Sequence, residues 1–321
     1  MLWVKARIVD IATYLPGLTR TSGDVEERIE GFRAPKGLIE RLTGIRRRHV
    51  AADGQQASDL AVEAARQLDH DVDLLIFASA SQDMVEPATA HIVAAKLGLS
   101  CPVFDVKNAC NSLLNGIQVA EALILSGAHR RVLVCTGETP SRAIRWQVKD
   151  REQFVDSFAG YTLSDAGAAV LLAADPRRGI FYRDFSADST AWDIGTLPGG
   201  GSAHPRDHEY SYFRGDGRRL KEAFEKVGPD IFVTALKRTG LSWDDFATVA
   251  VHQVALPYLR FLADTLGIPE DRLVVSLPEH GNCASATLPL QLRLGGWAPG
   301  DRVALLGLGG GISMGVMLAE M

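Results

Sequence analysis

Short apolar runs alternate with amphipathic stretches along nearly the whole chain. Residues 6–14 form an apolar run closed by Pro16-Gly17, which predicts a first strand. Residues 19–56 are polar, with a basic cluster at Arg46-Arg47-Arg48. Residues 57–68 (ASDLAVEAARQL) have helical spacing, with Ser58 placed as the N-cap. Residues 73–79 are nearly all apolar, as expected of a strand covered on both faces. Helical spacing returns over 88–97. A strand over 102–106 then leads through a polar corner into a helix over 112–126. Residues 131–136 read as another buried strand, 139–163 as helix and loop, and 166–173 (AGAAVLLA) as a strand whose small residues allow close packing.

The second half begins near Gly179. Residues 186–218, rich in Gly, Pro, His and Arg, read as long surface connections. Residues 219–239 form an amphipathic helix broken near Gly228-Pro229, and 257–266 a helix closed by Gly267. Strands are predicted over 248–252, 272–276, 302–308 and 312–318, with a helix running to about Gly295. RVLVCTGE…DAGAAVLLAA in one half echoes RVALLGLGGG…ISMGVMLAE in the other. The pattern predicts an α/β protein of two stacked halves, 1–175 and 176–321, with helices between mixed sheets.

Composition narrows the function. A chain of 321 residues is too long for one small core. Apolar residues make up 46% and charged residues 23%, ordinary for a soluble globular protein. A net charge of −5 and a pI near 5.9 argue against a general nucleic-acid binder. No apolar run reaches the roughly 18 residues that span a bilayer. Charges interrupt the apolar stretch 1–16, so it reads as a strand and not as a signal peptide. Cys101, Cys110, Cys135 and Cys283 show no metal-ligand spacing and are expected as reduced thiols in the cytoplasm. His204 and His208 are four apart but lack a third ligand, so no metal site is expected.

Three polar corners follow buried strands. The first holds Cys110 just before a long apolar helix, where the helix dipole and unpaired N–H groups favour a thiolate. From position alone, Cys110 is either a nucleophile or a small apolar residue packed at a helix start. The second holds His252, which a structural hydrogen bond would equally explain. The third holds Asn282, which would equally serve as a helix cap. Together they suit acyl-thioester chemistry: a thiolate attacks the carbonyl, and imidazole and amide N–H groups stabilise the oxyanion or enolate. Gly309-Gly310-Gly311 allows close approach and offers bare N–H donors.

NAC at 108–110, TGIRRR at 43–48, DAGAAV at 165–170, HQ at 252–253, HGN at 280–282 and GLGGG at 307–311 resemble ketoacyl synthase III and its relatives in the thiolase superfamily. The match runs in order over essentially the whole chain. It implies a homodimer with a five-layered αβαβα thiolase fold made of two similar halves. It implies Cys110 as the acylated nucleophile, His252 and Asn282 as an oxyanion pair, and the Cys110 and Gly310 N–H groups as a second oxyanion hole. It further implies that no cofactor is bound permanently and that acyl-CoA or acyl-ACP, a phosphopantetheine thioester, is the substrate.

The sequence also departs from the malonyl-dependent enzyme. HQVA replaces HQAN at 252–255, and Leu38 and Leu42 stand where a Trp and an Arg contact the CoA adenine. This points toward a carrier-protein donor. Arg46, Arg214, Arg218, Arg219 and Lys221 are candidates for phosphate or an acidic carrier, with ordinary solvated charge as the plain alternative. DMVEPATAHIVAAKLGL, NACNSLLNGI, TGET, HQVALP and EHGN are similar to the OleA-type thiolases and the α-pyrone-forming ketosynthases. That resemblance implies that Glu86 crosses the dimer interface and takes the α-proton of a second acyl thioester. A malonyl unit loses CO2 and needs no base, whereas an ordinary acyl chain must be deprotonated. An apolar acyl channel would raise the Glu86 pKa. The resulting expectation is a Claisen condensation of two acyl chains through acyl-Cys110. The alternatives are decarboxylative condensation with malonyl-ACP, acyl transfer to an alcohol or amine, and an inactive partner subunit.

Overall fold

The computed structural model describes residues 4–321. The first three residues of the stretch 1–16, read above as part of a strand, lie outside the described residues. The first half comprises β1 (Lys5–Tyr14), β2 (Leu18–Thr21), α1 (Ser22–Arg28), α2 (Leu38–Thr43), β3 (Arg47–Val50), α3 (Ala57–Ala65), β4 (Leu74–Ala78), α4 (Thr89–Leu97), β5 (Val103–Val106), α5 (Ser112–Leu125), β6 (Arg131–Glu138), α6 (Arg151–Ser157) and β7 (Ala166–Asp175). The second comprises β8 (Ile180–Ala187), β9 (Gly195–Thr196), β10 (Arg214–Gly215), α7 (Gly217–Val227), α8 (Asp230–Thr239), β11 (Thr248–Val251), α9 (Leu256–Leu266), α10 (Leu277–His280), α11 (Thr287–Gly295), β12 (Arg302–Gly309) and β13 (Ser313–Glu320).

Two sheets carry the architecture. One has the order β1-β7-β6-β4-β5, the other β11-β12-β13-β8. In the first, β4 runs parallel to β6, and β7 and β1 follow antiparallel. In the second, β11 runs parallel to β12, and β13 and β8 follow antiparallel. A parallel bridge from Leu273 to Val249 takes the place that β5 holds beside β4. The two sheets therefore share one topology.

Strand alternation sorts the layers. In β4, Leu74, Ile76 and Ala78 face the central core, while Leu75 and Phe77 face the helices α3 and α4. In β12, Val303 and Leu305 face the same central core, while Ala304 and Leu306 face α8 and α9. Leu113, Ile117 and Ile124 of α5, with Leu288 and Leu292 of α11, fill that centre. The result is five layers: helices, sheet, the α5/α11 pair, sheet, helices. Both faces of each sheet are covered, which explains the nearly continuous apolar runs. The small residues of β7 serve close approach: a side chain at Gly167 would run into the Leu60 carbonyl of α3.

Two local expectations change. Ser58 is not the cap of α3. The Gln56 N–H meets the Asp59 carboxylate at 2.7 Å, while buried Ser58 receives Lys96 Nζ at 2.6 Å and gives its N–H to Asp83. The stretch 272–276 is not a full strand. After the Leu273 bridge, the Gln253 side chain takes the Val274 carbonyl and the Ser276 and Leu277 N–H groups, replacing a ladder. The break expected near Gly228-Pro229 is present: α7 ends at Val227, Gly228 has φ 75°, and α8 begins at Asp230.

Candidate active site

Cys110 lies between β5 and α5, directly before Asn111, the N-cap of α5. Ala109 precedes it with φ 47°, a left-handed conformation that turns the chain sharply. The Ser112 hydroxyl and N–H both donate to the Ala109 carbonyl, and the Ser112 hydroxyl accepts from the Asn108 N–H at 2.8 Å. The corner is thus cross-braced on both sides of the cysteine. Buried Asn111 donates through Nδ2 to Ser313 Oγ at 2.9 Å and ties this corner to β13.

His252 follows β11 and is buried. Its N–H donates to the Leu306 carbonyl at 2.9 Å, so the backbone is anchored on β12. Neither ring nitrogen has a partner among the described residues. A buried polar ring with both nitrogens open is costly unless something else occupies the site. Asn282 is buried in a bridge with Leu163, bonded through its N–H to Thr162 and through its carbonyl to Ser164, each at 2.9 Å. Its Oδ1 accepts from the Ala284 N–H at 3.0 Å, which leaves the side-chain NH2 as a donor.

The chain brings these corners together. Ser285 Oγ donates to the Ala109 carbonyl at 2.9 Å, joining the Asn282 corner to the Cys110 corner. Gln291 of α11 donates to the Val251 carbonyl at 2.8 Å, joining α11 to the strand that ends at His252. The glycine turn completes the set. A Cβ on Gly309 would lie 3.3 Å from the Asn111 nitrogen, and one on Gly310 would lie 3.9 Å from the Ala109 Cβ. The Cys110 and Gly310 N–H groups donate to no other residue among those described.

Electrostatics overturn one expectation. Burial, then the charge of Glu138, push the Cys110 thiol up to about 12. Cys110 stands outside the first turn of α5, and desolvation opposes the thiolate that a helix terminus would favour. Burial also pushes His252 down to about 4. The resting pair is therefore a neutral thiol and a neutral imidazole. Cys283 is no second nucleophile: burial raises its thiol to about 12, and Sγ donates to the His280 carbonyl.

Glu86 lies apart from these corners. It sits exposed between β4 and α4, beside Met84 and Val85, which are 48% and 73% exposed. The basic candidates are largely engaged. Arg46 and Arg47 both bind Glu279, Arg214 binds Glu209, and Lys221 lies 3.5 Å from Glu225 and over the Phe261 ring. Arg218 is exposed at the start of α7. Leu38 packs against a small cluster with Phe32 and Trp146, while Leu42 is exposed. Sequence reasoning missed Asn111, Glu138 and Ser285. A glutamate ending the apolar run RVLVCTGE was the available signal; a serine or asparagine in a corner carries none.

Two family models match the chain. The one described as 3-oxoacyl-[acyl-carrier-protein (ACP)] synthase III covers residues 104–189, and its C-terminal counterpart covers 236–321. A β-ketoacyl-[acyl-carrier-protein] synthase III of Dinoroseobacter shibae is 35% identical over 97% of both chains. One of Neisseria gonorrhoeae is 31% identical over 98% of this chain and 99% of its own. A cysteine-to-serine variant of Xanthomonas campestris OleA, solved with lauric acid and lauroyl-CoA, superposes with a TM-score of 0.88 at 27% identity over all of both chains. Other structures of that OleA carry substitutions at a histidine and at a glutamate. With a thiolase fold and with corners contributed by both sheets, the chain belongs to the 3-oxoacyl-[acyl-carrier-protein] synthase III family of condensing acyltransferases.

Proposed function

We propose that this enzyme joins two acyl chains by a Claisen condensation without decarboxylation, working as a homodimer. Cys110 Sγ attacks an acyl thioester, with His252 taking the thiol proton and passing it to the departing CoA or carrier thiol. A neutral imidazole is suited to this, because it can accept at one nitrogen while the other donates. The N–H groups of Cys110 and Gly310 stabilise the tetrahedral oxyanion. A second acyl thioester then enters. Glu86 of the partner subunit removes its α-proton, and His252 and the Asn282 amide hold the enolate oxygen. The enolate carbon attacks the acyl-Cys110 carbonyl, the C–S bond breaks, and the departing Cys110 thiolate recovers the proton that Glu86 took up. The product is a β-ketoacyl thioester.

The observation that carries this reading is the placement of Glu86. A carboxylate directly after exposed Met84 and Val85, outside its own subunit's site, suits insertion into an apolar channel of a second copy. β5 is an edge strand on the same side of the sheet, open to pairing with that copy. In the Xanthomonas OleA the substituted cysteine and histidine lie as far apart in sequence as Cys110 and His252. The donor is a CoA or carrier-protein thioester, as the relatives' names suggest. The likeness to the β-ketoacyl-[acyl-carrier-protein] synthases III favours a second reading, decarboxylative condensation with a malonyl carrier. Incubation with acyl thioesters, with and without malonyl thioester, separates the two by mass spectrometry. A β-keto product from acyl thioesters alone supports the first reading; a strict need for malonyl with CO2 release overturns it.

A further inference from the structure

Glu138 ends β6 wholly buried, and the reaction above makes no use of it. Its Oε1 accepts from the Ala80 N–H at 2.9 Å. Its Oε2 accepts from the Ser81 N–H at 3.2 Å and the Ser81 hydroxyl at 2.9 Å. Ala80 and Ser81 are the root of the segment that carries Glu86. The far end of that segment is fixed too: Asp105 accepts from the Thr89 and Ala90 N–H groups, each at 2.8 Å. On its other side, β6 packs against the turn 284–286, whose Ser285 donates its one hydroxyl proton to the Ala109 carbonyl. Glu138 has no Lys or Arg partner among the described residues. Carrying a buried carboxylate without a cation is unfavourable unless donors fill its lone pairs, and the donors from outside its own strand come from the root of the Glu86 segment.

We propose that Glu138 is a positioning residue that ties the Cys110 corner and the root of the Glu86 segment to one buried carboxylate. The nucleophile used in this subunit and the base lent to the partner are then set by the same group. The Glu86 branch rests on the reading of Glu86 given under Proposed function; the Cys110 branch does not.

Glu138→Gln keeps the size but turns an NH2 toward an N–H donor. The expected results are three. The pH midpoint for alkylation of Cys110 by iodoacetamide falls by about one unit, since a negative neighbour is gone. Single-turnover acylation persists. Condensation per acylated enzyme drops about tenfold or more. After burial, the Glu138 charge raises the Cys110 thiol, whereas Asp165 and Glu138 both raise the Cys283 thiol. Two further variants cut one branch each and also decide the matter if Glu138→Gln does not fold. Ser285→Ala should slow acylation and leave condensation per acylated enzyme unchanged. Ser81→Ala should do the reverse. An unchanged alkylation profile, or equal losses in both half-reactions in all three variants, overturns the proposal. If Glu86→Gln condenses normally, the role of Glu86 is lost, and the alkylation shift still decides the Cys110 branch.

Discussion

Ala109 and Ala284 share one left-handed backbone conformation, φ 47° at each, three residues ahead of the first residue of α5 and of α11. The two sheets repeat one topology, and these two corners occupy matching places in it. Cys110 follows the first alanine and Ser285 the second. A shared scaffold thus presents the Cys110 thiol on one side and a bracing hydroxyl on the other.

The left-handed turn makes a stability prediction. At Ala109 a β-branched side chain clashes with its own backbone, so Ala109→Val should cost about 2 kcal/mol or more. Ala109→Gly should stay within about 1 kcal/mol of the parent, because relief of the turn offsets the added freedom of the unfolded chain. Urea unfolding of both variants checks the pair.

Sharing of Glu86 between subunits is tested by mixing inactive variants. Glu86→Gln should still acylate Cys110 but lose condensation by about a hundredfold or more. Cys110→Ala should lose both steps. Mixed dimers of the two hold one site with an intact Cys110 and an intact Glu86 from the partner, and should regain part of the activity. Failure of the mixture to recover, with dimer exchange verified, contradicts the crossing.

His252 links stability to acid. The unfolded chain takes up this proton near pH 6.5, the folded one only near 4, because burial disfavours the charged ring. The contribution is fully present above pH 6.5 and is lost as pH falls toward 4, the loss reaching about 3 kcal/mol below both values. His49 and His280, stacked with ring nitrogens 3.0 Å apart, are also pushed down by burial and act in the same direction. Comparing melts of the parent and His252→Asn at pH 7 and pH 4.5 isolates the share of His252. A parallel decline in both proteins would refute it.

Glu121 acts in the opposite sense. It lies buried in the middle of α5, 2.9 Å from Arg183, and burial raises its carboxyl to about 7 against the pull of that arginine. Between pH 4.5 and 7 the unfolded chain has lost a proton that the folded chain keeps, so stability falls as pH rises through this window. Glu121→Gln should therefore stabilise the protein at pH 8 by about 2 kcal/mol and have little effect near pH 4.5. Denaturant titrations at the two pH values measure the difference.

Much of the layer plan was legible from local pattern. Runs such as Leu74–Ala78 and Arg302–Gly309 are apolar on both faces, and only a sheet covered on both sides accommodates that. The stretch 272–276 misled because its β-branched residues read as a strand, while the Gln253 side chain takes backbone groups that a ladder would use. Ser58 misled because a serine before a helical pattern reads as a cap, and its burial against Lys96 is set by α4, a separate element.

By itself, the sequence determined the class of structure and the corners where chemistry gathers, because periodicity and turn residues are local properties of a chain. The tertiary structure alone decided how those corners behave. A thiol before a helix promises a thiolate, but the desolvation and the Glu138 charge that push Cys110 to about 12 come from residues brought together by folding. It also decided that Ser285 would brace Ala109 across a separation of 176 positions, and that Glu138 would hold the root of the Glu86 segment. Solvation and charge depend on three-dimensional neighbours, and no local pattern encodes them.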